Sequence, residues 1–535
     1  MKKSLRALAA AVAPVPIIAS LVLAGTASAS TQPLVAIPQN VNPAVANSAR
    51  VADLAQTSQV SFAVALKLRD EAGLNSFLAQ VNDPSSSLYH HFLTSAQFNA
   101  RYAPTTADVA SVRSFLTSNG IKVTKVSGNR DVIDAVGSVA QVKQAFATNI
   151  GVYQQNGRQF YANDTAPMVP SSVAGVVQGI AGLDNHAVRH PELVKSNVAP
   201  RASSPVGLTP TNLHSAYGTT NLGTGAGQTV ALWEFDGFQT ANVTHYDTQF
   251  ALGSPTPVTV SVDGANFNAA PGGGQGEVEL DIEIVQAMAK AAKTLVYEAP
   301  NSDQGEIDLA AQIASENRVS VTSISWGLCE TQSSAASITG TDNGFKQGVA
   351  EGITFYSASG DSGSNDCGDG TRAVDFPASS PNVSGVGGTT LRLSGGNRSS
   401  ETAWSGSGGG VSSVFATPSF QVGSGGHRTV PDVSGDANPS TGYAIFSGGT
   451  WVEFGGTSCA APLWSGFTAL HDANSGTRQG NINPALYTIS HGSGYAASFH
   501  DITSGSNGAF RAGTGYDEVT GLGTINGTGL NSALH

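Results

Sequence analysis

Between residues 60 and 136 short apolar runs of period two are broken by one stretch of helical period. Val60 to Lys67 predicts a strand, Thr106 to Asn119 an amphipathic helix, and Ile121 to Val126 with Asp131 to Val136 a pair of strands. That mixture describes one small α+β unit. The stretch from His186 to Pro205, with Pro191, Pro200 and Ser203-Ser204-Pro205, carries neither period and reads as a linker exposed to proteolysis.

From Gln228 onward the pattern changes to short β-rich runs separated by helical ones. Thr229 to Phe235, Thr294 to Tyr297, Ser320 to Ser325 and Ile353 to Ser357 read as strands. The alternation predicts a doubly wound, mainly parallel α/β sheet, whose functional residues gather at the carboxyl ends of its strands. The Gly- and Ser-rich stretch from Gly395 to Gly449 reads as loops with short strands.

The chain of 535 residues exceeds one typical core, so two folded units plus processing segments is the expectation. Charged residues make up 12% and hydrophobic residues 40%, with 63 glycines, which fits a turn-rich globular enzyme and not a disordered chain. The net charge of -12, with no Lys/Arg cluster after the extreme N-terminus, excludes a nucleic-acid footprint. Beyond Arg201 the lysines are Lys290, Lys293 and Lys346, so this half gains little self-repulsion when its carboxylates protonate and is expected to tolerate acid.

Met1-Lys2-Lys3 and Arg6 precede an apolar run from Ala7 to Ala24 that ends in Ala27-Ser28-Ala29. That order reads as a secretory signal over 1–29, and Pro14 and Pro16 argue against a retained anchor. With no later apolar span, the product is expected to be extracellular and free of the membrane. Cys329, Cys367 and Cys459 permit one bridge and one remaining thiol, and Cys329 and Cys367 lie just past predicted strand ends, which leaves a bridge between them open.

Gly455-Gly456-Thr457-Ser458-Cys459-Ala460-Ala461-Pro462 precedes the helical run Leu463 to Ala473 and is the sharpest local signal. Small residues let the backbone turn tightly and present Ser458 where a helix N-terminus favours developing negative charge, as a nucleophile requires. A serine serving only as an N-cap is the plain alternative. No histidine of this half stands in a His-Gly-Thr-His context. Carboxyls do stand in suggestive places: Gly272 to Glu283 carries Glu277 and Asp281 four residues apart, on one helix face with Ile284 and Met288 of a helix read from Ile284 to Lys293. Glu279 and Glu283 read as acids that complement the helix dipole. Asp361, in Ser359-Gly360-Asp361-Ser362-Gly363, follows a buried strand.

Taken together, the Ser458 motif, the Glu277/Asp281 pair and Asp361 resemble the sedolisin family, the serine-carboxyl peptidases. Asp83-Pro84, Tyr89-His90-His91-Phe92-Leu93-Thr94 and Phe98 are similar to that family's propeptide, and Leu208-Thr209-Pro210 with Ala216-Tyr217-Gly218 to the start of its mature enzyme. The resemblance implies a subtilisin-like fold and an acid-active endopeptidase in which Ser458 attacks the scissile carbonyl. Glu277 would take the proton, Asp281 would orient Glu277, and Asp361 would donate to the oxyanion. Glu234 and Trp326 resemble supporting members of the same network. The domain expectation is a signal at 1–29, an inhibitory and folding-assisting propeptide at 30–190, a processing linker at 191–206 and the peptidase at 207–535. A monomer acting on proteins and peptides, with its own propeptide as intramolecular inhibitor, follows from it. A tripeptidyl exopeptidase of the same family, a subtilisin-type enzyme using His245 or His500, and a Cys459 peptidase are the rival readings.

A histidine base with pKa near 6.5 is about 0.3% neutral at pH 4, whereas a glutamate near 4.3 stays roughly one-third ionised. An aspartic oxyanion donor must instead keep its proton. Near the C-terminus Asp501-Ile502-Thr503 and Ala512-Gly513-Thr514-Gly515-Tyr516-Asp517 offer two carboxylates and several carbonyls, a donor set suited to calcium. The resemblance assigns one such ion to the side chains of Asp501 and Asp517 with the carbonyls of Ile502, Gly513 and Gly515.

Overall fold

A computed structural model describes residues 32–38, 40–421 and 425–534. The signal read at 1–29 lies outside the described residues. The larger unit is built on an eight-stranded sheet in the order Val258–Ser261, Lys293–Glu298, Thr229–Glu234, Val321–Ile324, Thr354–Ala358, Ser384–Ser394 and Asn397–Ala403, with Val433–Asp436 also paired to Ser384–Ser394. All of these pairings are parallel except the last hairpin, Ser384–Ser394 with Asn397–Ala403. Runs such as Val230-Ala231-Leu232-Trp233 are apolar on both faces because helices cover both sides.

Helices Gln275–Met288 and Thr457–Ser475 lie in the core on one face, and Asp303–Glu316 and Ala335–Ala350 in the core on the other. Strand order reverses at Thr229–Glu234, whose neighbours Lys293–Glu298 and Val321–Ile324 both come later in the chain. A crevice opens beyond the carboxyl ends at such a point. Glu234 and Ser325 stand there. The helix read from Ile284 to Lys293 instead begins at Gln275 and ends at Met288, and Lys293 opens the next strand. The acidic run is thus helix interior: every residue from Glu277 to Met288 is buried.

The smaller unit contains each element the periodicity predicts. Its antiparallel sheet runs Lys122–Val126, Val132–Ser138, Gln59–Leu66, Val177–Ala181. Helices Thr106–Ser118 and Val139–Phe146 supply Val109, Val112, Leu116, Val142 and Phe146 to its core. A second set of small side chains, Ala63, Val132 and Ala181, meets Ile307, Ala311 and Ala336 of the larger unit. Arg189, fully buried, is fixed between the units by Asp303 at 2.7 Å and Glu306 at 2.5 Å.

The segment read as an exposed linker is ordered instead. His190–Pro191 pairs antiparallel with Trp326-Gly327, and Val194–Lys195 pairs antiparallel with Phe454-Gly455. Periodicity could not reveal this, because such short strands take their hydrogen bonds from distant partners and bury only Glu192 between them. Cys329 and Cys367 are bridged, and Cys459 is a buried free thiol. No helix among the described residues is long and apolar enough to cross a membrane.

Candidate active site

Gly456 turns the chain with φ of 102° and starts helix Thr457–Ser475, so Ser458 stands in its first turn. A side chain at Gly456 would collide with the carbonyl of Glu192 and with Asp361 Oδ2, which is why this turn is confined to glycine. The Ser458 hydroxyl donates to the carbonyl of Ser325 at 3.3 Å. Glu277 stands near it on helix Gln275–Met288, with both carboxyl oxygens buried and without a hydrogen-bond partner. That helix is positioned by Asp236, whose carboxylate accepts the amides of Gly272 and Gly274, each at 2.7 Å.

Glu277, Asp281 and Glu234 form one buried carboxyl cluster. Burial, then the neighbouring Asp281 and Glu234, push Glu277 well above the usual carboxylate range. Asp281 is raised to about 8 by burial, opposed by the Ser325 hydroxyl, which donates to it at 2.8 Å. Glu234 is likewise driven up by burial and then by Asp281, while the Trp326 indole donates to its Oε2 at 2.7 Å. Trp326 therefore has a polar partner inside the site, beyond its edge-to-face contact with Phe235.

Asp361 reaches the cluster from the opposite side, at the end of strand Thr354–Ala358. Its Oδ1 accepts the Thr457 amide at 2.7 Å and the Thr457 hydroxyl at 3.0 Å. Its Oδ2 is buried without a partner. Burial raises Asp361 to about 7, against the pull of those two Thr457 contacts. The carboxyl is neutral below that value, and Oδ2 lies against the space beside Gly456.

That space holds Glu192. Its amide donates to the Ser325 carbonyl and its carbonyl accepts the Ser458 amide, both at 3.0 Å. The structure thus brings together Ser458, Glu277, Asp281, Asp361, Glu234 and Trp326, and adds Asp236, Ser325, Thr457 and Glu192, which sequence reasoning does not single out. Ser325 could be found from Ser325-Trp326-Gly327, a polar and glycine-bearing run just past a buried strand. Asp236 and Glu192 carry no local signal.

With the linker in place Glu277 is buried, and the one-third ionisation expected of a free glutamate in acid does not describe it here. Glu279 and Glu283 are also not solvent-facing complements of the helix dipole. Both are fully buried. Glu279 accepts the Gln239 amide at 3.0 Å and Asn242 at 2.8 Å, and Glu283 accepts the Phe446 amide at 2.8 Å. His245 stacks on Phe446, and His500 sits on a short strand opposite Thr524. Burial, then Glu277, pushes the Cys459 thiol far up, against thiolate chemistry.

Asp501 and Asp517 flank one glycine turn. Asp501 accepts the Gly515 amide at 3.1 Å, and Asp517 accepts the Gly513 amide at 3.0 Å. The Tyr495 hydroxyl donates to Asp501 at 3.0 Å. Two carboxylates beside carbonyl-rich turns fit a hard cation.

Comparison with known proteins agrees with this architecture. The family model for the pro-kumamolisin activation domain matches residues 46–186, and that of the subtilase family matches residues 264–482. Kumamolisin from Bacillus sp. (strain MN-32) is 34% identical over 472 residues, covering 82% of this chain and 85% of that protein. Sedolisin from Pseudomonas sp. (strain 101) is 34% identical over 517 residues, covering 90% and 88%. The solved structure of Pseudomonas sedolisin, a serine-carboxyl proteinase complexed with two molecules of pseudo-iodotyrostatin, superposes with a TM-score of 0.57 at 30% identity, covering 62% of this chain and 98% of that one. With an activation domain ahead of a subtilisin-like α/β unit, and this identity over most of its length, the chain belongs to the sedolisin family of serine-carboxyl peptidases.

Proposed function

We propose that the chain is the precursor of a secreted, acid-active endopeptidase whose nucleophile is Ser458. In this reading Glu277, ionised, accepts the Ser458 proton as the hydroxyl attacks the scissile carbonyl, and Asp281 orients Glu277. The Ser458 amide and the protonated Asp361 donate to the oxyanion, while Glu234 and Trp326 tune the carboxyl cluster. What supports it above all is the polypeptide segment lying across Ser458, with its carbonyl on the Ser458 amide at 3.0 Å. The burial that raises Glu277 makes its ionised form the stronger base for the Ser458 proton, with the segment in place as well as after it leaves.

The chain continues on both sides of Ser458, paired to Trp326-Gly327 upstream and to Phe454-Gly455 downstream. An open-ended groove of this kind favours internal cleavage over tripeptidyl release, which needs a stop for a free amino terminus. Asp501 and Asp517 with the carbonyls of Ile502, Gly513 and Gly515 would hold a calcium ion that pins the C-terminal loops. The reading is tested by a pH series of peptide cleavage on wild type and Glu277→Gln. Glu277→Gln should lose about 10²–10⁴-fold in kcat. Activity of Glu277→Gln near wild type, abolished instead by a His→Ala change, would overturn it.

A further inference from the structure

We propose that the bond severed in maturation is Glu192–Leu193, with Glu192 seated in the specificity pocket as the first side chain upstream of the cut. The inference rests on the peptidase reading above and names the first substrate of that site, a segment of the same chain.

Four observations locate the bond. The upstream strand His190–Pro191 lies antiparallel on Trp326-Gly327, and the downstream strand Val194–Lys195 lies antiparallel on Phe454-Gly455. A substrate must cross between two such walls at the nucleophile, and the residues left for the crossing are Glu192 and Leu193. Only the Glu192 carbonyl takes the Ser458 amide. The Ser325 carbonyl receives both the Glu192 amide at 3.0 Å and the Ser458 hydroxyl at 3.3 Å, so nucleophile and target share one anchor. Finally, Gly456 faces both the Glu192 carbonyl and Asp361 Oδ2, which puts the proposed oxyanion donor beside the oxygen it would serve.

The Glu192 side chain is 2% exposed and lies in a pocket of its own. Burial, then the nearby carboxyls of Asp361 and Asp366, raise it, both oxygens of Asp375 are buried without a hydrogen-bond partner, and His190 Nδ1 stands 3.0 Å from Oε1. Carboxyls crowded in this way share protons, and burial raises Glu192, Asp366 and Asp375 alike. The pocket therefore receives glutamate in its neutral, hydrogen-bonding form.

In the step itself the Ser458 oxygen bonds to the Glu192 carbonyl carbon as its proton passes to the Glu277 carboxylate. The Glu192–Leu193 C–N bond then breaks, and that proton goes to the Leu193 nitrogen, which becomes a free amine. One water hydrolyses the Glu192 ester, gives Glu192 a new carboxyl terminus and restores the serine.

The test is a time course of the purified full-length precursor at about pH 4, read by intact mass and N-terminal sequencing. The earliest new amino terminus should be Leu193, with a released fragment ending at Glu192. A first cut at any other bond overturns the proposal. Leu193→Pro, which replaces the scissile secondary amide, should slow appearance of the mature chain at least 10-fold. Glu192→Gln, an isostere of the neutral acid, should still be cut at the same bond and guards against a folding failure in the proline variant. A synthetic peptide spanning residues 187–199, added to mature enzyme, should be split between Glu192 and Leu193, and cleavage elsewhere counts against the assignment. Ser458→Ala separates the two levels of the argument. If it stays full length while wild type is first cut elsewhere, the bond is wrong and the peptidase reading stands; if it gains the Leu193 terminus as fast as wild type, the reading itself fails.

Discussion

Asp361 grips Thr457, the neighbour of the proposed nucleophile Ser458, through one carboxyl oxygen at 2.7 Å and leaves its other oxygen buried and unpaired. One side chain thus fixes the position of the turn and keeps an unpaired oxygen beside it.

Protonation of Asp361, raised to about 7 by burial, sets an upper limit on activity. The neutral donor exists only below the titration of Asp361, which loses part of its burial when the segment leaves, so kcat of the mature enzyme should fall as pH rises toward 7. Asp361→Ala should lose roughly 10²–10³-fold in kcat, with a smaller change in KM. A flat pH profile from 4 to 8 would remove Asp361 from the oxyanion role.

Trp326→Phe keeps the ring and deletes the indole N–H that reaches Glu234 at 2.7 Å. Loss of a donor to the carboxylate favours its neutral form, so Glu234 should rise further. The expected outcome is a fall of about 10-fold in kcat with a displaced acid limb in the pH profile. An unchanged profile with a lower melting temperature would mean that Trp326 only fills space.

Stability should be greater in acid than at neutrality. Glu277, Glu234, Asp281, Glu283, Asp436 and Asp472 all have folded-state values raised chiefly by burial. Raised carboxyls bind more protons folded than unfolded between about pH 4 and their folded values, so their contribution is complete below the unfolded value and is lost as pH rises. A tenfold gain in a carboxyl's proton affinity on folding is worth about 1.4 kcal/mol, so a melt of Ser458→Ala precursor should show Tm at least about 3 °C higher at pH 4 than at pH 7.5. The reverse order would contradict the burial assigned to these groups.

The Cys329–Cys367 bridge spans a sequence separation of 38 and ties the strand Trp326–Cys329 to the loop that carries Asp361 and Asp366. Closing a loop of that size is worth about 3–4 kcal/mol through the unfolded chain. Cys329→Ser with Cys367→Ser should lower Tm and raise KM more than it lowers kcat, measured on the same peptide. A fall in kcat alone would dissociate the bridge from substrate binding.

Chelation provides a separate test at the C-terminal loops. If Asp501 and Asp517 hold calcium, EDTA should lower Tm of wild type, and Asp517→Ala should have a lower Tm that EDTA no longer changes. Equal EDTA sensitivity in wild type and variant would place the ion elsewhere.

Legibility in the sequence follows locality. The strands at 229, 294, 321 and 354 and the α+β elements of the smaller unit announce themselves by period, because burial on one or two faces repeats along the chain. Ser458, Glu277, Asp281 and Asp361 are visible because glycine-rich turns and inward-facing acids break the pattern of their surroundings. Glu279 and Glu283 pass for dipole complements in the sequence, since their partner amides at Gln239 and Phe446 lie far away along the chain. Glu192 is hidden for the same reason: its neighbours Ser325, Asp361, Asp375 and Ser458 are brought to it by the fold alone.

Because the segment across Ser458 belongs to the same molecule, its two halves are moored on different walls of the larger unit, and the proposed cut would part them. Attachment makes the encounter unimolecular, so the half-life of the first cut should not change on dilution. Every molecule then carries its own timer, and scarcity of enzyme in dilute surroundings would not delay its first turnover.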